Sequence, residues 1–215
     1  MPEQATETDL AGIVQMLCAR AAAGRLIAAV AGPPGAGKST LADSLAALLN
    51  GDGSNAASVL AMDGYHFDNR ILEARGLRAR KGAPDTFDVL GLAHMLRRLR
   101  DNDEPEIAVP VFDRDLEISR AAAQIIERST RIVIVEGNYL LLRRPMWSDL
   151  FPLFATTIMV SVPEELRRER LLQRWRGYGL SANEILAKVE GNDMPNGRVV
   201  LEESRDAEFH VATHD

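Results

Sequence analysis

Two hundred and fifteen residues, 46% hydrophobic and 26% charged with 16 Gly and 10 Pro, give enough chain for one domain with a full core and exclude collagen-like, coiled-coil and disordered classes. The 25 basic residues, only three of them lysines (Lys38, Lys81 and Lys188), face 31 acidic ones for a formal charge of −6, a poor balance for binding nucleic acid through its phosphates. The lone Cys18 allows no internal disulfide, Glu3, Glu7 and Asp9 stand where a signal peptide needs basic residues, and no apolar run approaches the roughly 20 residues of a membrane span, so the expectation is a cytoplasmic protein without membrane insertion.

The first element expected is an amphipathic helix over Thr8 to Ala23, where Leu10, Ile13, Val14, Leu17, Cys18 and Ala21 recur at three- and four-residue steps and Gly24 ends the run. That face makes Cys18 a buried structural thiol. A short apolar strand follows from Leu26 to Ala31, then a glycine-rich turn, then a helix from Lys38 to Leu49 closed by Asn50-Gly51. Further strands are expected at Ala57 to Met62, Arg131 to Glu136, Thr156 to Val162 and Phe209 to Ala212. Helices are expected at Asp88 to Arg100, Glu164 to Arg176, Ser181 to Glu190 and Asn196 to Ser204. The strands are apolar without strict alternation, as in strands covered on both faces, and strands alternating with helices imply a parallel sheet in an α/β fold. One domain, 1–215, fits this order, with an N-terminal helix in 1–24, an insertion in 63–120 and a lid region in 163–195. The one linker-like stretch, GDGSNAAS from Gly51, is the length of an ordinary loop.

The turn after the first strand reads GPPGAGKST: Gly32, Pro33, Pro34, Gly35, Ala36, Gly37, Lys38, Ser39 and Thr40. Glycines at this spacing let backbone N–H groups curl around phosphates, the lysine reaches the terminal phosphates, and the serine opens the helix with its hydroxyl placed for Mg²⁺. The loop therefore predicts a nucleoside triphosphate, with ATP and Mg²⁺ as the bound pair. Glu136 ends an apolar strand, where a doubly wound sheet places its ligand crevice, and is the second metal-side acid, beside Ser39. Asp63, in MDGYHF just after the neighbouring strand, is the candidate general base for an acceptor hydroxyl. Arg170 and Arg174, four apart on the arginine-rich helix Glu164 to Arg176, share a face from which to close over the phosphates. The GNDMPN stretch, Gly191 to Asn196, is either a ligand contact or a plain turn.

Together GPPGAGKST, MDGYHF, KGAPDTFDVLGL, VPVFDRDLE, IVEGNYLL and VPEELRRERLLQR resemble the uridine kinase, phosphoribulokinase and pantothenate kinase group of P-loop kinases, over roughly residues 25 to 212. The similarity is greatest to its bacterial nucleoside or sugar kinase branch, which includes fructose transport system kinases. The resemblance implies a three-layer P-loop fold with a five-stranded parallel sheet ordered 2-3-1-4-5. It also implies an Mg-ATP donor, a small-molecule hydroxyl acceptor, Asp63 as base and Glu136 as second acid. It places Lys81, Asp85, Phe87 and Arg114 at the acceptor pocket, with Tyr65, His66, Tyr139 and Asn192 as neighbours. A sugar is the first acceptor expected, a nucleoside or pantothenate-like alcohol the alternative, and a regulatory ATPase without an acceptor the rival class. A homodimer is left open.

Overall fold

The computed structural model describes residues 6–7, 10–51, 53 and 55–213. The expected first turn of the N-terminal helix, at Thr8 and Asp9, and two residues of the Gly51 loop lie outside the described residues.

Two strands, β2 (Leu26–Ala31) and β6 (Ile132–Gly137), are buried along their whole length. The apolar runs Leu26–Ala31 and Ile132–Val135 suit strands that carry helices on both faces. They pair in parallel, with β3 (Ala57–Ala61) beyond β6, and with β7 (Thr156–Ser161) and β8 (Phe209–Ala212) beyond β2. The sheet differs from the five-strand expectation through a sixth, two-residue strand, β1 (Thr6–Glu7), parallel to β8 at its edge.

On one face lie α1 (Leu10–Arg20) and α2 (Lys38–Leu49), whose Ile13, Leu17, Leu41 and Leu45 pack on Ala28, Val30, Ile134 and Ile158. Cys18, expected inside, is exposed. α1 buries Ile13 and Leu17, four apart, and the residue after Leu17 is turned about 100° around the helix axis, away from the sheet. The other face is covered by α4 (Val89–Asp101), the turn Trp147–Leu153 and α7 (Met194–Glu203), through Leu92, Leu96, Leu150 and Val200. α3 (Asn69–Ala74) is a short surface helix.

Because α4 belongs to the core layer, the 63–120 insertion is divided into turns before it and a hairpin after it. The hairpin, β4 (Glu106–Asp113) with β5 (Ile118–Glu127), is antiparallel and breaks register between Val109 and Val111. Pro110 lies at that break, where a missing N–H is tolerated. Gln124 fastens the hairpin across the sheet edge, donating to Ser58 Oγ at 3.1 Å and to the Val59 carbonyl at 3.0 Å.

After β7 come α5 (Glu164–Gly177) and α6 (Ala182–Lys188), the latter opened by a reciprocal Ser181–Glu184 capping box. The GNDMPN stretch is not a plain turn. A π-helical turn, Val189–Asp193, runs straight into α7, and Pro195, which has no N–H to donate, comes just after that widened turn. Leu171, Ile185, Val189 and Met194 give α5, α6 and this junction a small core of their own.

Candidate active site

Register decides what meets at the carboxyl ends of the strands. Glu136 lies opposite Val30 on one side and Ala61 on the other. The glycine loop leaves β2 directly after Ala31 and Asp63 follows β3 by two residues, so loop, Glu136 and Asp63 converge on one cavity of about 490 Å³.

The loop needs its glycines for separate reasons. Gly35 and Gly37 have φ of +80° and +91°, left-handed values that cost a residue with a Cβ. A Cβ on Gly32 would meet the Val160 carbonyl of β7 at 2.7 Å. Lys38, the first helical residue, is 8% exposed, and its Nζ donates to the Pro33 carbonyl at 3.1 Å. Burial lowers its pKa to about 8, against the opposing pull of Glu136 and Asp63. Ala36 is buried, and its carbonyl accepts from Thr213 Oγ1 at 3.2 Å.

Glu136 is 7% exposed. Burial first, and then the charge of Asp63, raise its pKa, while Lys38 and the Ser39 hydroxyl oppose the rise. Asp63 sits in the turn Met62–Tyr65. Its Oδ2 accepts from Arg114 Nη2 at 2.8 Å, and His66 Nε2 is 3.9 Å from its Oδ1. The hairpin backbone presses on this turn: Ser119 donates to the Gly64 carbonyl, and a Cβ on Gly64 would meet the Pro110 carbonyl at 2.6 Å. The glycine after Asp63 is thus required by close approach. His66 stacks on Phe87 with centroids 4.0 Å apart and is tilted against Phe112 at 5.0 Å; burial lowers its pKa to about 4, so the ring is neutral at physiological pH.

Similarity to known proteins agrees with this geometry. No family model matches the chain. The Escherichia coli protein YggC, named as uncharacterized, is 36% identical over 87% of this chain and 77% of its own length. A Schizosaccharomyces pombe protein provisionally named a uridine kinase, C227.14, is 34% identical over 80% of this chain and 76% of its own length. The chain belongs to the uridine kinase-like P-loop kinases. A crystal structure from Silicibacter sp. TM1040, provisionally named a fructose transport system kinase, superposes with a TM-score of 0.86 at 38% identity, covering 94% of this chain and 98% of that one. The Saccharomyces cerevisiae YFH7 structure shares the fold, with a TM-score of 0.84 over 97% of this chain and 99% of that one at 18% identity. The protein is an ATP-dependent kinase.

Within this kinase the main cavity is lined by Pro34, Gly35, Lys38, Ser39, Asp63, His66, Lys81, Phe87, Arg114, Glu136, Arg174 and Asn192. A second cavity of about 460 Å³ lies across the phosphate loop, walled by Leu10, Gly37, Thr40, Ser44, Arg170 and Thr213 and shared with Arg174. Arg170 reaches Thr213 Oγ1 at 3.3 Å and the Gly35 carbonyl at 3.5 Å. Arg170 thus lines the second cavity alone, whereas Arg174 lines both.

Three of the expected acceptor residues do not reach the cavity wall. Tyr65 and Tyr139 are buried in the core below it, and burial holds both phenols in the protonated form. Tyr139 donates to the Gly82 carbonyl at 2.6 Å and packs edge-on against Phe87 and Trp147. Asp85 is exposed in the turn Pro84–Thr86, on the Arg144 side. Residues that sequence reasoning passed over also line the site: Arg78, Arg80, Glu117, Trp175 and Lys188; Asp193 and Asn196 line it too, within the GNDMPN stretch read as either a ligand contact or a plain turn. The R-A-R triplet ahead of Lys81 was a readable signal. Within GNDMPN, Asp193 is held in place by accepting from Trp175 Nε1 at 2.7 Å, a partner 18 residues away that spacing does not reveal.

Proposed function

We propose that this kinase phosphorylates a hydroxyl of a polar small molecule of the sugar class, with Asp63 as the base. The single observation that carries the reading is the placement of Asp63 beside the phosphate loop on a cavity whose far wall is polar. Asn192, Asn196, Lys81, Arg114 and His66 supply donors and acceptors suited to a polyol. Of the aromatic rings that line the cavity, Phe87 and Phe112 are already engaged by His66, with Lys81 Nζ 5.0 Å from the Phe112 centroid, and Trp175 carries Lys188 Nζ 4.4 Å from its centroid, which favours a sugar over a stacked nucleobase.

The second cavity suits the rest of the nucleotide, with Arg170 and Arg174 lining it from the lid helix. A divalent cation fits the donor set: the Ser39 hydroxyl and the buried carboxylate Glu136, with the Asp63 carboxylate on the same cavity, are hard oxygen ligands. Ser39 and Glu136 would hold Mg²⁺, which supplies charge neutralisation on the phosphates when bound. Asp63 accepts the proton of the acceptor hydroxyl as that oxygen attacks the terminal phosphorus, Lys38 holds the phosphates, and Arg174 screens the transferred group from water.

The test is ADP release from Mg-ATP against a panel of sugars, sugar derivatives, nucleosides and pantothenate. One compound should stimulate release strongly, and Asp63→Asn should remove the stimulation while ATP-analogue affinity stays within twofold. Stimulation by a nucleoside alone, or full turnover in Asp63→Asn, refutes the reading.

A further inference from the structure

The chain as a whole is acidic, yet its acceptor wall is basic. Arg78, Arg80, Lys81, Arg114 and Lys188 all line it. Two of these cations have acid partners: Lys81 Nζ is 3.5 Å from Glu117 Oε2, and Arg114 holds Asp63. Lys188 rests on the Trp175 ring, 4.4 Å from its centroid. Arg78 and Arg80 differ, since among the described residues neither side chain has a hydrogen bond or an ion pair. They form one turn, Arg78–Arg80, in which both arginines are exposed and line the cavity.

That turn is held firmly at its base. Arg80 N–H bonds the Leu77 carbonyl at 2.9 Å. Lys81 Nζ donates to Asn69 Oδ1 at 2.8 Å and to the Glu117 carbonyl at 2.6 Å. Asn192 Nδ2 donates to the Lys81 carbonyl at 2.8 Å, and Tyr139 pins Gly82 from below. Contacts from α3, the hairpin, the π-helical turn and the segment after β6 thus fix the backbone and leave two planar, always-charged forks unsatisfied. Such forks match phosphate or carboxylate oxygens in pairs, and a fixed backbone spares the ordering cost of binding. In the reading proposed above the triphosphate is held by the loop, Lys38, Arg170 and Arg174, which leaves Arg78 and Arg80 for the acceptor.

We propose that the acceptor carries an anionic group, phosphate or carboxylate, and that Arg78 and Arg80 bind it while its hydroxyl faces Asp63. The inference rests on the kinase reading above and narrows its substrate class from neutral sugars to sugar phosphates or sugar acids. It makes the R-A-R turn a specificity determinant, separate from the phosphate loop.

The kinase is first saturated with Mg²⁺ and a non-hydrolysable ATP analogue, which blocks the phosphate loop, and is then titrated calorimetrically with inorganic phosphate and with acetate. One of these anions should bind in the millimolar range, and an Arg78→Gln/Arg80→Gln variant should weaken it at least tenfold, about the worth of one charge-assisted hydrogen bond, with analogue affinity unmoved. Which anion binds separates phosphate from carboxylate chemistry. In turnover, fructose 6-phosphate or gluconate should stimulate ADP release more than fructose does, with a KM raised at least tenfold in the double variant. Absence of anion binding to the loaded enzyme, or a neutral sugar turned over with a KM the double variant leaves within twofold, overturns the inference. Failure of the kinase reading itself looks different: the analogue does not bind, or no compound stimulates ADP release.

Discussion

Tyr139→Phe separates a pinning role from a substrate contact. The ring is wholly buried against Phe87 and Trp147, and its hydroxyl donates to the Gly82 carbonyl at 2.6 Å. Phenylalanine keeps the packing and removes only that bond. The half-buried Gly82 carbonyl then loses its partner, which costs about 1 kcal/mol, and for a domain of this size that lowers Tm by roughly 2 to 4 °C. The freed turn also carries Lys81 and, just before it, Arg78 and Arg80, so the acceptor KM should rise while the ATP KM stays put. Differential scanning calorimetry reads the first effect and steady-state ADP release the second. A Tm within 1 °C of the parent together with a raised acceptor KM would refute the argument, because it would mean that the hydroxyl meets the acceptor instead of Gly82.

Gly35→Ala forces a Cβ at φ +80° to within 3.0 Å of the Arg167 carbonyl, a strain of about 1 to 2 kcal/mol; calorimetry with an ATP analogue should show affinity down at least tenfold, and unchanged affinity would contradict the loop geometry. Arg174→Ala, at the cavity shared with Asp63, should lower kcat about a hundredfold. Arg170→Ala, at the second cavity only, should raise the ATP KM with kcat within threefold; steady-state kinetics that reverse this split would exchange the two roles. His66 has a folded pKa of about 4, below its ordinary 6.5. The unfolded chain therefore binds more protons between those values, and stability present above pH 6.5 is lost as pH falls toward 4, by up to about 3 kcal/mol. Urea unfolding at pH 7 and pH 4 should show a smaller drop for His66→Phe than for the parent, and parallel pH profiles would remove His66 as the cause.

What could be read directly from the chain was what physics ties to local spacing. GPPGAGKST is legible because phosphate binding by backbone N–H groups requires glycines at fixed steps, and Gly35 and Gly37 do adopt the left-handed values that this implies. Asp63 and Glu136 are legible because each follows an apolar run, and parallel strands of similar length align their carboxyl ends. The β4–β5 hairpin was hidden: β5 carries exposed Arg120, Ala121, Ala122 and Ala123 in succession, so no alternation marks it as a strand. Cys18 misled because a helical stripe a little too wide counts a flank residue as core.

The arginine helix was legible only in part, and the reason is long-range packing. Arg167 reads as one more solvated charge among its neighbours, yet its side chain is 1% exposed. A Cβ on Gly35 would meet its Cγ and its carbonyl at 3.0 Å, and one on Gly197 would meet its Nη1 at 2.7 Å. One guanidinium-bearing side chain thus fills the gap between the phosphate loop, α5 and the start of α7, and two glycines far apart in sequence make room for it. The same stretch of α7 places Asn196 in the cavity wall, where its Nδ2 donates to Asn192 Oδ1 at 3.2 Å, and Asn192 in turn holds Lys81. Chain distance hides this sequence of contacts completely. In space it runs from the loop that grips the phosphates, through a buried arginine, to the turn that carries Arg78 and Arg80, so the nucleotide and acceptor ends of the cavity share one continuous packed wall.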